Sequence, residues 1–330
     1  MTAGANDLPI GVAIIGGGPA GLSAGLQLVR ANRRIAILDS NRPRHSATLE
    51  SHGFLTRDGI PPLELRRIGR EEFEAYPSAQ YAQAIVRSVE RLSEADAHAV
   101  GFPDGIGFRV HGTGIRGQAN AEFIARRVLI SAGLTEQLPQ LPMIRAYYGT
   151  ALHSCVECDG FEKTDKPLVL IGETSDLFAR ALLISRFSSD LIVFTNGADT
   201  IRPEQETQLN AIGIRVERRI IDDIVGEKAD MTGVRLADGE VIARVGGFVR
   251  PRWNAPVEFM GEIELERDDW GLVVTDERGE TSARGVYAVG DIVPPGPQQL
   301  IIAAGNGARV AAKLNMDMIR GALGVGMIDE

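Results

Sequence analysis

The run that most constrains this chain lies near its start, "GVAIIGGGPAGLSAGLQLVRANRRIAILDS", residues 11–40. An apolar strand leads into Gly16, Gly18 and Gly21, a helical pattern follows, and a second apolar strand ends in Asp39. Gly16 suits a tight turn, Gly18 lets a pyrophosphate approach backbone N–H groups, and Gly21 lets a helix pack closely on a strand. Asp39 stands at the spacing of a carboxylate that takes a ribose 2′-hydroxyl. A lone G-x-G-x-x-G says little. Strand, glycines, helix, second strand and acid in this order predict a dinucleotide-binding α/β unit.

At 330 residues, 44% of them apolar, the chain is long enough for two domains. A net charge of −9 with scattered basic residues argues against nucleic acid or an anionic membrane as the partner. No uninterrupted apolar run reaches the 18 or so residues of a membrane span, and "MTAGANDLPI" carries neither a basic leader region nor an apolar one. The expectation is a soluble, cytoplasmic protein acting on a protein or a small molecule.

Both cysteines, Cys155 and Cys158, fall within "LHSCVECDGFEK". A zinc site needs about four ligands, and only His153 lies close by, so no metal is expected. A structural disulfide across so short a loop constrains the unfolded chain little. A redox dithiol explains the spacing best, because the two sulfurs can exchange between dithiol and disulfide while a helix start or a cation stabilises the attacking thiolate. His153 reads as a helix-end or core histidine more readily than as a catalyst.

Downstream, "GVYAVGDIVPPGPQQLIIAAGNGARVAAKL" takes a strand into Gly290 and Asp291 and then into a helical segment. With the first fingerprint, "VLISAGL" and "HSCVECDG", this order resembles the low-molecular-weight thioredoxin reductase-like flavoproteins over nearly the whole chain. The resemblance implies an α/β fold of two Rossmann-like, three-layer ββα domains, the second inserted into the first. The FAD domain would comprise 1–134 and 248–330, and the insert 135–247. It implies FAD with Gly16, Gly18 and Gly21 at its pyrophosphate, Asp39 at its adenosine ribose, Gly290 and Asp291 near the ribityl chain, and Gln299, Leu300 and Ile301 beside the isoalloxazine. Arg42 and Arg44 are weaker candidates for the adenosine or pyrophosphate. Cys158 would face the flavin, Cys155 would exchange with a substrate disulfide, and Asp159 would handle the proton.

The insert is bordered by "TEQLPQLPMIR" and "GGFVRPRWNAP", whose prolines and glycines read as hinge-like breaks. Within it, "PLVLIGETSDLFARALLISRF" and "LIVFTNG" outline a second nucleotide unit with the wrong chemistry. Thr174 and Leu177 replace glycine, Glu173 adds negative charge, and Thr195, Asn196 and Gly197 stand where relatives carry a basic 2′-phosphate cluster. NADPH is therefore not the expected donor. The resemblance narrows to pyridine-nucleotide-independent members, the ferredoxin-linked and cyanobacterial diflavin-linked types. It implies a homodimer, a thioredoxin-like protein or other disulfide as substrate, ferredoxin or another one-electron donor, and a possible second FAD at a subunit interface. "RRIGR" (Arg66 to Arg70) and "RPR" (Arg250 to Arg252) are the candidate basic patches for an acidic donor. The alternative is an FAD-dependent dithiol oxidase with oxygen as acceptor, because "HGFLTRDGIPP" (His52 to Pro62) resembles a stretch found in such oxidases.

Overall fold

The computed structural model describes residues 8–228 and 230–325. Most of the N-terminal stretch read above for a leader therefore lies outside the described residues. The chain divides into two units. One comprises Met1–Arg44, Leu63–Thr135 and Asn254–Glu330, and the other His45–Pro62 and Glu136–Trp253.

In the first unit, strands β1 (Ile10–Ile15), β2 (Ile35–Asp39), β3 (Ala79–Arg91), β4 (Phe108–Gly114) and β5 (Ala121–Ile130) form one sheet with the Val286–Ala288 strand. The neighbours β3-β2-β1-β5 and Val286–Ala288 are all parallel, and β4 pairs antiparallel with β3 and β5. β1 and β2 are almost wholly buried, with Val12, Ala13, Ile14, Ile35, Ala36 and Ile37 at 0% exposure, as expected of parallel strands covered on both faces. Helix α1 (Pro19–Arg30) covers one face together with the long helix Leu300–Leu323, and their apolar stripes meet in one core. Pro19 opens α1 at the first helical position, where its missing N–H costs nothing.

The second unit repeats the parallel plan. Its sheet runs β9 (Arg215–Glu217), β8 (Leu191–Phe194), β7 (Leu168–Gly172), β10 (Gly246–Arg250) and β6 (Leu152–His153), all parallel, with a three-stranded antiparallel sheet formed by Ile221–Glu227, Asp230–Leu236 and Val241–Ala243. The expected α/β architecture with parallel Rossmann-type sheets is therefore present in both units.

Two boundaries differ from the sequence reading. Residues 248–253 belong to the insert, because β10 pairs with β7 and β6 and so forms part of its sheet. Gly246 and Gly247 are thus strand residues and not hinge breaks. At Gly247, with φ +149, a Cβ would strike the backbone of Val169, so glycine serves close strand pairing there. The segment 45–62 also joins the insert. Gly149 approaches the carbonyl of Ala47 too closely for any side chain, and His52 Nε2 lies 3.7 Å from Glu162.

The first unit also buries a charge cluster. Arg126 and Arg127 both pair with Asp104, with all three side chains 7% exposed or less. Burial alone would raise the Asp104 carboxyl, but hydrogen bonds and charge from the two guanidiniums bring it down to about 2. Asp104→Asn leaves two buried cations without a counter-ion and is expected to cost about 3 kcal/mol in urea denaturation at neutral pH. Because the folded value is depressed, the wild-type advantage is present above about pH 4 and fades as pH falls towards 2. A difference that persists unchanged at pH 2 would contradict this account.

Candidate functional site

The glycine loop after β1 is shaped by backbone approach. Gly16 has φ +111, and a Cβ there would strike the Ser131 carbonyl, while a Cβ on Gly21 would strike the carbonyl of Gly16. Ser131 Oγ donates to the carbonyls of Ile15 (3.0 Å) and Gly16 (2.8 Å), which ties the loop to the end of β5. Gly18 caps α1 without a side-chain bond, and nothing lies within 4 Å of where its Cβ would stand. The loop therefore presents helix N-terminal N–H groups to open space, the arrangement that takes an anion.

Asp39 ends β2, and its side chain is 8% exposed. Oδ1 accepts from Gly17 N at 3.2 Å, and Oδ2 accepts from Tyr81 Oη at 2.7 Å and from Arg66 Nη2. A carboxylate offers about four acceptor positions, so room for one further donor, such as a ribose hydroxyl, remains on Oδ1. The same carboxylate therefore holds the glycine loop in place and retains capacity for a ligand.

Gly290 has φ +82, donates its N–H to Asn306 Oδ1 at 3.1 Å, and opens the short turn that carries Asp291. Asp291 Oδ2 pairs with Arg44 Nη2 at 2.8 Å. Gln299 caps the Leu300–Leu323 helix with no side-chain bond, and Leu300 and Ile301 lie in its first turn. Gly307 permits a close crossing of that helix over Ala20, where a Cβ would meet the Ala20 carbonyl, and a Cβ on Gly290 would lie 2.9 Å from Ala20 Cβ. Two helix N-termini, the glycine loop and the Gly290 turn thus converge within one unit. A cradle that side chains would fill, lined by N–H groups and a carboxylate at each end, fits an elongated dinucleotide such as FAD.

In the second unit, Cys155 and Cys158 form a disulfide at the start of the short helix α2 (Val156–Asp159). Cys155 occupies the N-cap, and its sulfur accepts from Cys158 N at 3.2 Å. Both cysteines are partly exposed as residues. Asp159 Oδ1 lies 3.4 Å from His153 Nε2, with the two side chains 14% and 11% exposed. Burial pushes Asp159 up to about 6 and Glu162 adds to the rise, against the pull of Lys163 and His52. Burial, with the charge of Lys163, pushes His153 down to about 3, so the imidazole is neutral. Lys163 is itself lowered, chiefly by burial, at 8% exposure.

In the insert, the polar groups that follow β7 pair with one another. Helix α3 (Leu177–Ile184) begins after Asp176, whose carboxylate accepts from Thr174 Oγ1 (2.7 Å) and Arg180 Nε (3.0 Å) and pairs with Arg250 Nε at 2.8 Å. Burial alone would raise Asp176, yet Thr174, Arg250 and Arg180 hold it below the ordinary value. Glu173 accepts from Asn196 Nδ2 at 2.9 Å, and Asn196 Oδ1 accepts from Ile221 N.

Sequence reasoning did not single out Tyr81, Asn306, His52 as an individual residue, or Lys163. It named Arg66 within a candidate basic patch, and for Arg66 that reading is corrected. Arg66 is buried on Asp39, Arg67 pairs with Glu64 and Glu71, and Arg70 pairs with Glu74. Arg250 is likewise buried on Asp176, whereas Arg252 is 64% exposed and only loosely paired with Glu173. Among the described residues no group of three or more His, Cys, Asp or Glu can hold a metal, and no helix is long and apolar enough to cross a membrane.

The family model for pyridine nucleotide-disulphide oxidoreductases matches residues 10–307. Thioredoxin reductase of Treponema pallidum is 25% identical over 310 residues, covering 91% of this chain and 94% of its own length. TrxB of Bacillus anthracis, assigned as a thioredoxin reductase, has a crystal structure with TM-score 0.84 at 35% identity, covering 94% of this chain and 99% of that one. The crystal structure of HlmI gives TM-score 0.86 at 32% identity, covering 96% of this chain and 94% of that one. With the glycine cradle in one unit and the Cys155–Cys158 disulfide in the other, the chain belongs to the pyridine nucleotide-disulphide oxidoreductase family, as a thioredoxin reductase-like, flavin-dependent oxidoreductase acting on disulfides.

Proposed function

We propose that this protein exchanges electrons between FAD and a substrate disulfide through Cys155 and Cys158, without NADPH as donor. The observation that carries the reading is the disulfide at a helix start beside a carboxyl held near neutrality. FAD, when bound, supplies two-electron chemistry, and Gly16, Gly18, Gly21, Asp39, Gly290, Asp291 and the Gln299–Ile301 helix start are the groups that would hold it. Once Cys155–Cys158 is reduced, the Cys155 thiolate keeps the Cys158 N–H and the helix N-terminus as stabilising partners. It attacks the substrate disulfide, forming a mixed disulfide and expelling one substrate thiolate, which takes a proton from Asp159. Cys158 then attacks the Cys155 sulfur, which releases the second substrate thiol and restores the Cys155–Cys158 bond.

Independence from NADPH rests on Asp176. A fixed carboxylate already pairs with the cations at the start of α3, so a pyrophosphate there would meet its negative charge and the side chains of Thr174 and Leu177. The flavin would take its electrons from another donor. Arg66 and Arg250 are engaged internally while Arg252 stays exposed, and ferredoxin or another one-electron protein donor is the donor class of this reading. A homodimer with a second flavin remains part of the reading.

One observation favours a second reading, a dithiol oxidase passing electrons from a small dithiol to oxygen. The His52–Pro62 stretch belongs to the same unit as the disulfide, His52 contacts Glu162, and Leu55 and Phe161 are 79% and 80% exposed. Such a surface suits a small apolar dithiol. Hydrogen peroxide formed in step with dithiol consumption supports oxidase turnover, and its absence together with protein disulfide reduction restores the first reading.

Anaerobic mixing with millimolar NADPH or NADH should leave the flavin spectrum unchanged over seconds, while dithionite bleaches it. Fast bleaching by either nicotinamide would sink the donor assignment. A Cys158→Ser variant should accumulate a mixed disulfide through Cys155, visible by mass spectrometry, and trapping only with Cys155→Ser would reverse the two roles. Substrate disulfide reduction should decline as pH rises through about 6, where Asp159 loses its proton. Asp159→Asn should remove that limb and slow exchange about a hundredfold, as read from a pH–rate profile.

A further inference from the structure

At the carboxyl ends of β7, β8 and β10 the second unit contains a cavity of about 140 Å³. Doubly wound sheets place ligands at this edge. The space is close to that of an engineered cavity of about 150 Å³ that holds one benzene, and is far too small for a dinucleotide. Leu138 and Pro139 form an apolar wall, Gln137 and Gln140 add amides, and Glu173, Arg250 and Arg252 bring charge.

Arg250 is the unusual member. Its side chain is 10% exposed, Nε is paired with Asp176, and Cζ lies 5.6 Å from the Trp253 ring centroid. Its Nη1 is buried with no hydrogen-bond partner among the described residues. An unpaired guanidinium N–H is costly to bury, and here it belongs to a residue that lines a cavity. The charges point the same way. Among the described residues Arg180, Arg250 and Arg252 share the two carboxylates Asp176 and Glu173, and the Arg252–Glu173 contact is loose at 3.6 Å with the Arg252 side chain 64% exposed. One positive charge is left over.

We propose that this cavity binds a small organic monocarboxylate, with the carboxylate on Arg250 Nη1 and Arg252 and the apolar body against Leu138 and Pro139. The inference rests on the reading that this unit does not hold a nicotinamide dinucleotide. The site also connects to the redox pair. Arg250 and Arg180 share Asp176, and Arg180 Nη1 donates to the carbonyl of Ser154 at 3.3 Å, one residue before Cys155. A ligand that draws on Arg250 therefore perturbs a continuous ion-pair chain that ends at the backbone of the attacking cysteine, and the site acts as an effector site for disulfide exchange.

The test uses the flavin-loaded full chain and benzoate as probe, with benzamide as its neutral isostere and inorganic phosphate as a non-organic anion. Ligand-observed NMR should show saturable benzoate binding that benzamide does not reproduce and phosphate does not displace. Arg250→Gln should weaken binding about tenfold or more. Arg252→Gln, a change at an exposed side chain, should weaken it several-fold and keeps the test decisive should the first variant fail to fold. In the reduced protein, benzoate should change the alkylation rate of Cys155 with the same midpoint as binding. No saturable binding, equal binding of benzamide, or binding unaffected by Arg252→Gln would overturn the site, and binding without any change in alkylation would overturn the coupling. Flavin bleaching by NADPH, measured separately, refutes the donor reading and not the benzoate result.

Discussion

Backbone contact at Gly16 and Gly21 governs the first unit. The Cα of Gly16 faces the Ser131 carbonyl, the Cα of Gly21 faces the Gly16 carbonyl, and the Ser131 hydroxyl bridges to both Ile15 and Gly16. β1, β5 and α1 are thereby held so close that one methyl group at either glycine would separate them. The consequence lies two residues beyond Gly16, where Gly18 leaves the first N–H groups of α1 facing open space. Further down the chain, Gly307 repeats the device and lets the long C-terminal helix cross over Ala20. Both helix starts then reach the same cradle. Close packing at glycine thus turns a steric requirement into an electrostatic one, because aligned N–H groups without internal partners favour an anion.

The second unit has the same sheet order in outline but the opposite electrostatic solution. A dinucleotide unit normally leaves its helix start open to a ligand's charge, and here Asp176 supplies a fixed charge from within the chain. Its pairing with Arg180, Arg250 and Thr174 holds it ionised in spite of burial. The cations that a phosphate would otherwise meet are largely committed, and what remains is a small cavity with one surplus positive charge.

Around the disulfide, desolvation acts on three neighbours at once. It raises Asp159, lowers His153 and lowers Lys163, so each group lies nearer to neutrality than it would in water. Thiol–disulfide exchange creates and discharges thiolates in sequence. A carboxyl that gains and loses a proton near pH 6 matches that need better than one fixed as an anion.

The strands, the two wound units, the glycine loop and the Cys155–Cys158 pair were legible in the sequence because each is a short-range pattern. Strand alternation, glycine spacing and a two-residue gap between cysteines are set by local geometry, and Gly16, Gly18, Gly21 and the pair at 155 and 158 needed no knowledge of distant partners. What only the tertiary structure decided is which distant side chain completes each local group. Asp39 draws Arg66 from 27 residues away and Tyr81 from 42, Asp291 draws Arg44 across 247, and residues 45–62 join the insert that begins far downstream. Arg66 and Arg250 read as surface cations in sequence, because a charge alone favours water. They are buried only because folding brings a carboxylate to each, and an ion pair formed across the fold has no signature at either position alone.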